Sequence, residues 1–90
     1  MACRNLTKAE EAKNDILKKC EKLQNLGEIV VVKLDLLSLA SVRECANHLL
    51  KTEPKINLLI NNAGVMMCPQ GKTEDGFETQ LGTNHLSHFL

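Results

Sequence analysis

Two apolar runs, EIVVVKLDL (residues 28–36) and KINLLINN (55–62), constrain this chain more than any other feature. The first is rich in β-branched side chains and is nearly continuous rather than alternating. Such a run suits a strand buried on both faces of a parallel sheet, because a strand with one wet face alternates apolar and polar residues. Between the runs lies a helical pattern. Ser38 is its expected N-cap, and Val42, Cys45, Ala46 and Leu49 supply its apolar face. Pro54 closes it by forcing the residues before it out of helical geometry. Two strands joined through a helix must run parallel, with a right-handed crossover. The chain is therefore of the α/β class.

The flanking segments extend the alternation. MACR reads as a strand stub. In NLTKAEEAKNDILKKCEKLQNLG, Thr7 and Glu10 have the spacing of a capping box, and Ala12, Ile16, Cys20 and Leu23 form one apolar stripe. Gly27 is the expected left-handed stop. After the second run, a polar loop, PQGKTEDG, leads to FETQLGTNHLSHFL, which reads as a helix with Thr73 or Asp75 near its cap. The predicted order is strand stub, helix, strand, helix, strand, loop, helix. Two strands and a stub give three helices little sheet to bury against, so the expectation is one incomplete stretch of a longer α/β domain. A small domain that oligomerises is the alternative.

Composition removes several functions. A chain of 90 residues is one domain at most. With 11 basic and 11 acidic residues and no basic run, nothing marks a nucleic-acid surface. Trp and Tyr are absent and Phe occurs twice, so platforms for base stacking are also scarce. Cys3, Cys20, Cys45 and Cys68 form no C-x-x-C pair, which argues against a zinc or dithiol motif. Reduced, mostly buried thiols in a cytosol-facing domain are expected instead. No apolar run approaches the roughly 20 residues of a membrane helix.

In an open parallel sheet, ligands bind beyond the carboxyl ends of the strands, so the strand tips are where chemistry is sought. The first tip carries Arg4. A guanidinium there suits a 2′-phosphate through its bidentate fork, or is simply solvated. The second is Leu34-Asp35-Leu36, whose carboxylate can accept from an exocyclic amine or help cap the following helix. The third is Asn61-Asn62-Ala63-Gly64. Gly64 lets a backbone approach a ligand closely, Ala63 intrudes little, and the doubled amide can tie neighbouring strands where the ladder ends. A plain Asn/Gly turn is the competing explanation. Two further groups are weaker. His85 and His88, with Cys68 upstream, have metal-ligand chemistry but no assured third ligand. Met66-Met67-Cys68 could line an apolar channel or merely pack beneath the loop.

Taken in order, ACRN, KLDLLSLASVRECA, LLINNAGVMMCP, KTEDGFE and GTNHLSHFL resemble the short-chain dehydrogenase/reductase superfamily, and within it the retinol dehydrogenase branch, across essentially the whole chain. The resemblance implies a partial Rossmann-type doubly wound sheet, without its first strand, Gly-rich turn and C-terminal half. It implies NADP(H) as cofactor, with Arg4 on the 2′-phosphate, Asp35 and the backbone at Leu36 on adenine, and Asn62, Ala63 and Gly64 along the adenosine ribose. Asn61 would stabilise the sheet. Asn84 matches the helix asparagine of the family's Asn-Ser-Tyr-Lys tetrad, whose main-chain carbonyl holds a water of the proton relay.

The implied reaction is hydride transfer between nicotinamide and a carbonyl or alcohol carbon, on an apolar substrate such as retinal or retinol. The implied location is the cytoplasmic side, with a longer parent attached to the endoplasmic reticulum membrane. The departures limit this expectation. TGxxxGxG, the catalytic serine and Tyr-x-x-x-Lys have no counterpart among these residues, and the chain has no tyrosine to serve as general acid. The 90 residues alone are expected to be inactive. Two alternatives remain: a non-catalytic product acting through partner binding, or a relative acting on a different carbonyl.

Overall fold

The computed structural model describes all 90 residues. They form two compact units, Met1–Leu34 and Asp35–Leu90. In the first unit, β1 (Ala2–Cys3) pairs in parallel with β2 (Val32–Lys33), in the register Ala2↔Val32 and Cys3↔Lys33. The ladder extends on both sides: the Val32 N–H donates to the Met1 carbonyl at 2.9 Å and the Leu34 N–H to the Cys3 carbonyl at 3.0 Å. Helix α1 (Leu6–Lys19) provides the crossover that a parallel pair requires.

The cap of α1 is Asn5, not Thr7. The Asn5 Oδ1 accepts from the Lys8 N–H at 3.0 Å, so the helix starts two residues before the capping box and Thr7 lies inside its first turn. The helix also stops earlier than Gly27, at Cys20, and the left-handed residue beyond it is Asn25, at φ 58°. Asparagine tolerates that region because its short amide can bond locally. The predicted stripe is not buried. Ile16 and Leu23 are exposed, while Ala9 is the buried position. A two-stranded ribbon has too little apolar face to cover a four-turn helix.

The second unit begins at a tight turn. The Asp35 Oδ1 accepts from the Leu37 N–H at 3.0 Å, and the Ser38 N–H donates to the Asp35 carbonyl at 3.2 Å. Helix α2 (Leu39–Thr52) starts at the predicted cap, with Ser38 Oγ accepting from the Ser41 N–H, and ends before Pro54 as the sequence requires. Cys45 is its buried residue, Val42 and Leu49 are half-buried, and Ala46 faces solvent.

Residues 55–62 depart most from expectation. They do not join the sheet, whose order is β1-β2 alone, and Leu58, Leu59 and Ile60 are 77%, 71% and 72% exposed. The doubly wound order 3-2-1-4-5-6 accounts for this. If β1 and β2 occupy the second and third places, they are neighbours. The next strand then belongs between the first and the fifth, and neither of these is among the paired segments.

The last helical run is also not uniform. α3 (Thr79–Leu81) passes into a π-helical turn (Gly82–Leu86) and then α4 (Ser87–Phe89). Its cap is Glu78, whose carboxylate accepts from the N–H groups of Gln80 and Leu81 at 3.0 and 2.9 Å. Thr73 and Asp75, the predicted caps, have other partners. Thr73 Oγ1 accepts from the Phe77 N–H inside a turn closed by Gly76 at φ 86°, and Asp75 Oδ2 accepts from Leu39 N–H at the start of α2. No helix is long and apolar enough to cross a membrane.

Candidate functional site

Three of the predicted site residues of the second unit, Leu36, Ala63 and Gly64, meet the helical run from Gly82 to Phe89. Asn84 projects from it and makes two hydrogen bonds to one residue: Oδ1 accepts from the Val65 N–H, and Nδ2 donates to the Val65 carbonyl, both at 2.8 Å. The side chain thus satisfies the backbone just beyond Asn-Asn-Ala-Gly as a neighbouring strand would. Gly64 is required for that approach. A Cβ placed there would lie 3.0 Å from Asn84 Oδ1, tighter than ordinary van der Waals contact. The open space that the sequence assigns to a ligand is therefore occupied, at least in part, by the Asn84 amide.

One turn further, Ser87 and His88 bond the same two regions. Ser87 Oγ donates to the Leu36 carbonyl at 2.7 Å, and His88 Nε2 lies 2.8 Å from the Ala63 carbonyl. A carbonyl only accepts, so Nε2 carries the proton in that contact. From the other side, the Glu74 N–H donates to the Leu37 carbonyl at 3.0 Å. Gly82 packs this loop against the helix so closely that a Cβ would fall 2.4 Å from Thr73 Cγ2. Wide π turns of this kind recur at functional positions in helices.

The sequence singled out Asn84 but not Ser87, and it treated His88 only as a weak metal ligand. The usable signal was the spacing Asn84-x-x-Ser87-His88, which puts three hydrogen-bonding side chains on neighbouring helical positions. No three His, Cys, Asp or Glu side chains gather as a metal-binding group. The His85 ring instead lies against Phe89, with centroids 6.2 Å apart. Met66 and Met67 are exposed, and Met67 sits in the left-handed region at φ 52°, so they pack under nothing in this unit.

Several polar groups remain unspent, as a nucleotide would need. Asp35 uses Oδ1 in its turn and leaves Oδ2 without an internal donor. The exposed amides of Asn61 and Asn62 bond no other side chain or backbone group. Arg4, in the first unit, is exposed and outside the one ion pair, Lys19–Asp15; its main-chain carbonyl accepts from Lys33 Nζ. Within the second unit these groups have the donor and acceptor chemistry that adenine and ribose hydroxyls take, and Arg4 by itself has that of a phosphate contact.

Two groups are shifted in titration. Backbone N–H donors at Leu81 and Gln80 hold the Glu78 carboxyl below its ordinary value. Burial pushes the Cys45 thiol up, which disfavours the reactive thiolate. All four cysteines are free; Cys45 is buried and the other three are half-buried.

The chain is 44% identical over its whole length to retinol dehydrogenase 14 of Homo sapiens, 49% to retinol dehydrogenase 12 of Mus musculus and 49% to retinol dehydrogenase 13 of Homo sapiens, covering 30%, 27% and 26% of those proteins. A crystal structure of an uncharacterized protein from Mycobacterium Paratuberculosis matches 99% of the chain and 28% of its own, with a TM-score of 0.77 and 42% identity. No protein-family profile matches. The fold is that of a partial Rossmann-type α/β protein. The chain belongs to the short-chain dehydrogenase/reductase superfamily, in its retinol dehydrogenase-like branch. It spans less than a third of the length of these relatives.

Proposed function

We propose that this chain supplies the adenosine half of an NADP(H) site, together with one member of the catalytic tetrad, in an oxidoreductase acting on a retinoid or a similar apolar carbonyl or alcohol. The observation that carries this reading is the two-point bond from Asn84 to Val65, which ties the Asn-Asn-Ala-Gly tip to a π-helical turn. Arg4 would take the 2′-phosphate, Asp35 and the backbone at Leu36 the adenine, and Asn62, Ala63 and Gly64 the adenosine ribose. Asn61 would brace the sheet. The bound cofactor supplies the hydride chemistry, and the protein orients it and limits access of water.

Both Oδ1 and Nδ2 of Asn84 are engaged with Val65, and its contribution to a proton relay is assigned to its main-chain carbonyl. The tetrad's tyrosine acid has no counterpart here, since the chain contains no tyrosine. Loss of a general acid costs about 10²–10⁴-fold in rate. The purified chain is accordingly expected to reduce no retinal with NADPH. Its nucleotide edge is tested separately by comparing adenosine 2′,5′-bisphosphate with 5′-AMP in an NMR titration. The expected result is tighter binding of the bisphosphate, with the preference lost in Arg4→Leu. Equal binding of both nucleotides would remove the NADP assignment.

A second reading is favoured by one observation, the exposure of Leu58, Leu59 and Ile60 and, later in the chain, of Met66 and Met67. An apolar extended segment without ladder partners is a template for pairing with another chain. On this reading the chain acts through a protein partner, a second copy included, and binds no nucleotide.

A further inference from the structure

We propose that Ser87 and His88 are positioning residues that, together with Asn84, lock two separate segments, at Leu36 and at Ala63–Val65, at a fixed spacing, and that this lock sets the shape of the nucleotide edge. The inference rests on the nucleotide reading above. It goes beyond that reading because neither residue is assigned a role there.

The geometry is specific. Asn84, Ser87 and His88 stand at i, i+3 and i+4, so they emerge from one side of adjoining turns. Each spends its polar atom on main chain far away in sequence: Val65 for Asn84, Leu36 for Ser87, Ala63 for His88. Leu36 and Ala63 lie in the two segments assigned to adenine and to ribose, with α2 lying between them in the chain. A helical serine ordinarily returns its hydroxyl to its own helix. Ser87 is only 4% exposed and instead reaches a carbonyl 51 residues away, at 2.7 Å. The short turn at Asp35 fixes the Leu36 segment from within, and the Glu74 N–H holds Leu37 beside it. The His88 contact needs a proton on Nε2, which fixes its state when the ring is neutral.

A lock of this kind changes affinity by pre-organisation. The segments would otherwise have to be ordered when the ligand arrives, at the expense of binding. His88→Leu removes the donor. His88→Gln restores an N–H at a comparable reach. Ser87→Ala removes the hydroxyl without adding volume.

The test titrates the 90-residue chain and these variants with adenosine 2′,5′-bisphosphate by NMR, with thermal melts alongside. His88→Leu and Ser87→Ala should each weaken binding about 3–10-fold, the span of one net hydrogen bond. His88→Gln should stay within about twofold of the parent, and the two His88 variants should melt together. A nitrogen-15 imidazole spectrum should show the Nε2-protonated form of His88. Should Ser87→Ala fail to fold, the His88 pair still decides. Parent binding that is unchanged in His88→Leu, or an Nδ1-protonated ring, would overturn the lock alone. Absence of binding by the parent would overturn both the lock and the nucleotide reading.

Discussion

Gly64 and Asn84 show how a residue's reason can lie elsewhere than the sequence suggests. Glycine after Asn-Asn-Ala reads as space for a ligand, and the space is shared with the Asn84 amide, 3.0 Å from where a Cβ would sit. Gly64→Ala should push Asn84 off Val65, breaking two hydrogen bonds together. The cost should be about 1–3 kcal/mol, the range for forcing extra volume into a filled contact. Chemical denaturation measures it, and the Val65 amide should lose hydrogen-exchange protection in the same variant. A neutral substitution would mean that the contact contributes nothing. Asp35 teaches the complementary lesson. Its two proposed roles, adenine acceptor and helix cap, were equally open in sequence. The structure gives the cap to Ser38 and one carboxylate oxygen to a local turn, which leaves the other free.

Helix termini decide most at the scale of elements. The run from Thr79 to Phe89 carries Asn84, Ser87 and His88, and it starts on the Glu78 carboxylate. Two backbone donors lower the Glu78 pKa from its ordinary value of 4.5, the Leu81 contact being the larger cause. A depressed carboxyl stabilises the fold above its unfolded pKa, and that stabilisation is lost as pH falls through the folded one. The helical run should therefore loosen as pH drops below about 4.5. Glu78→Gln, which keeps an acceptor but cannot titrate, should flatten that part of the stability profile. Circular dichroism against pH reads both, and an identical acid limb in parent and variant would count against the cap. The cap was hidden in sequence because Thr73, Asp75 and Glu78 are all plausible starts. Only the turn closed by Gly76 moves the first two away from the helix.

For the whole molecule, burial is the limiting quantity. Ala9 and Cys45 are its buried apolar residues, and no large side chain is completely enclosed. Apolar side chains left in water across residues 56–60 favour association, since burial is worth about 25 cal/mol per Å² of apolar surface. The purified chain should self-associate at micromolar concentration, and Leu59→Lys should shift it toward monomer in sedimentation analysis. A monomeric parent with a sharp cooperative melt would exclude this behaviour.

Periodicity and composition determined the α/β class, the helices Leu6–Lys19 and Leu39–Thr52, the stop before Pro54 and the Ser38 cap. These follow from local rules, in which one residue type at one spacing satisfies one backbone requirement. The family likeness was also readable, because its motifs are short and contiguous. The fold in three dimensions decided the rest. It left residues 55–62 outside the sheet, because an extended segment becomes a strand only when a partner accepts its ladder. It exposed the stripe of α1, because an apolar face is buried only where another face exists to meet it. It also joined Leu36 and Ala63 to one helix through Ser87 and His88, a pairing between distant backbone carbonyls that no local pattern encodes.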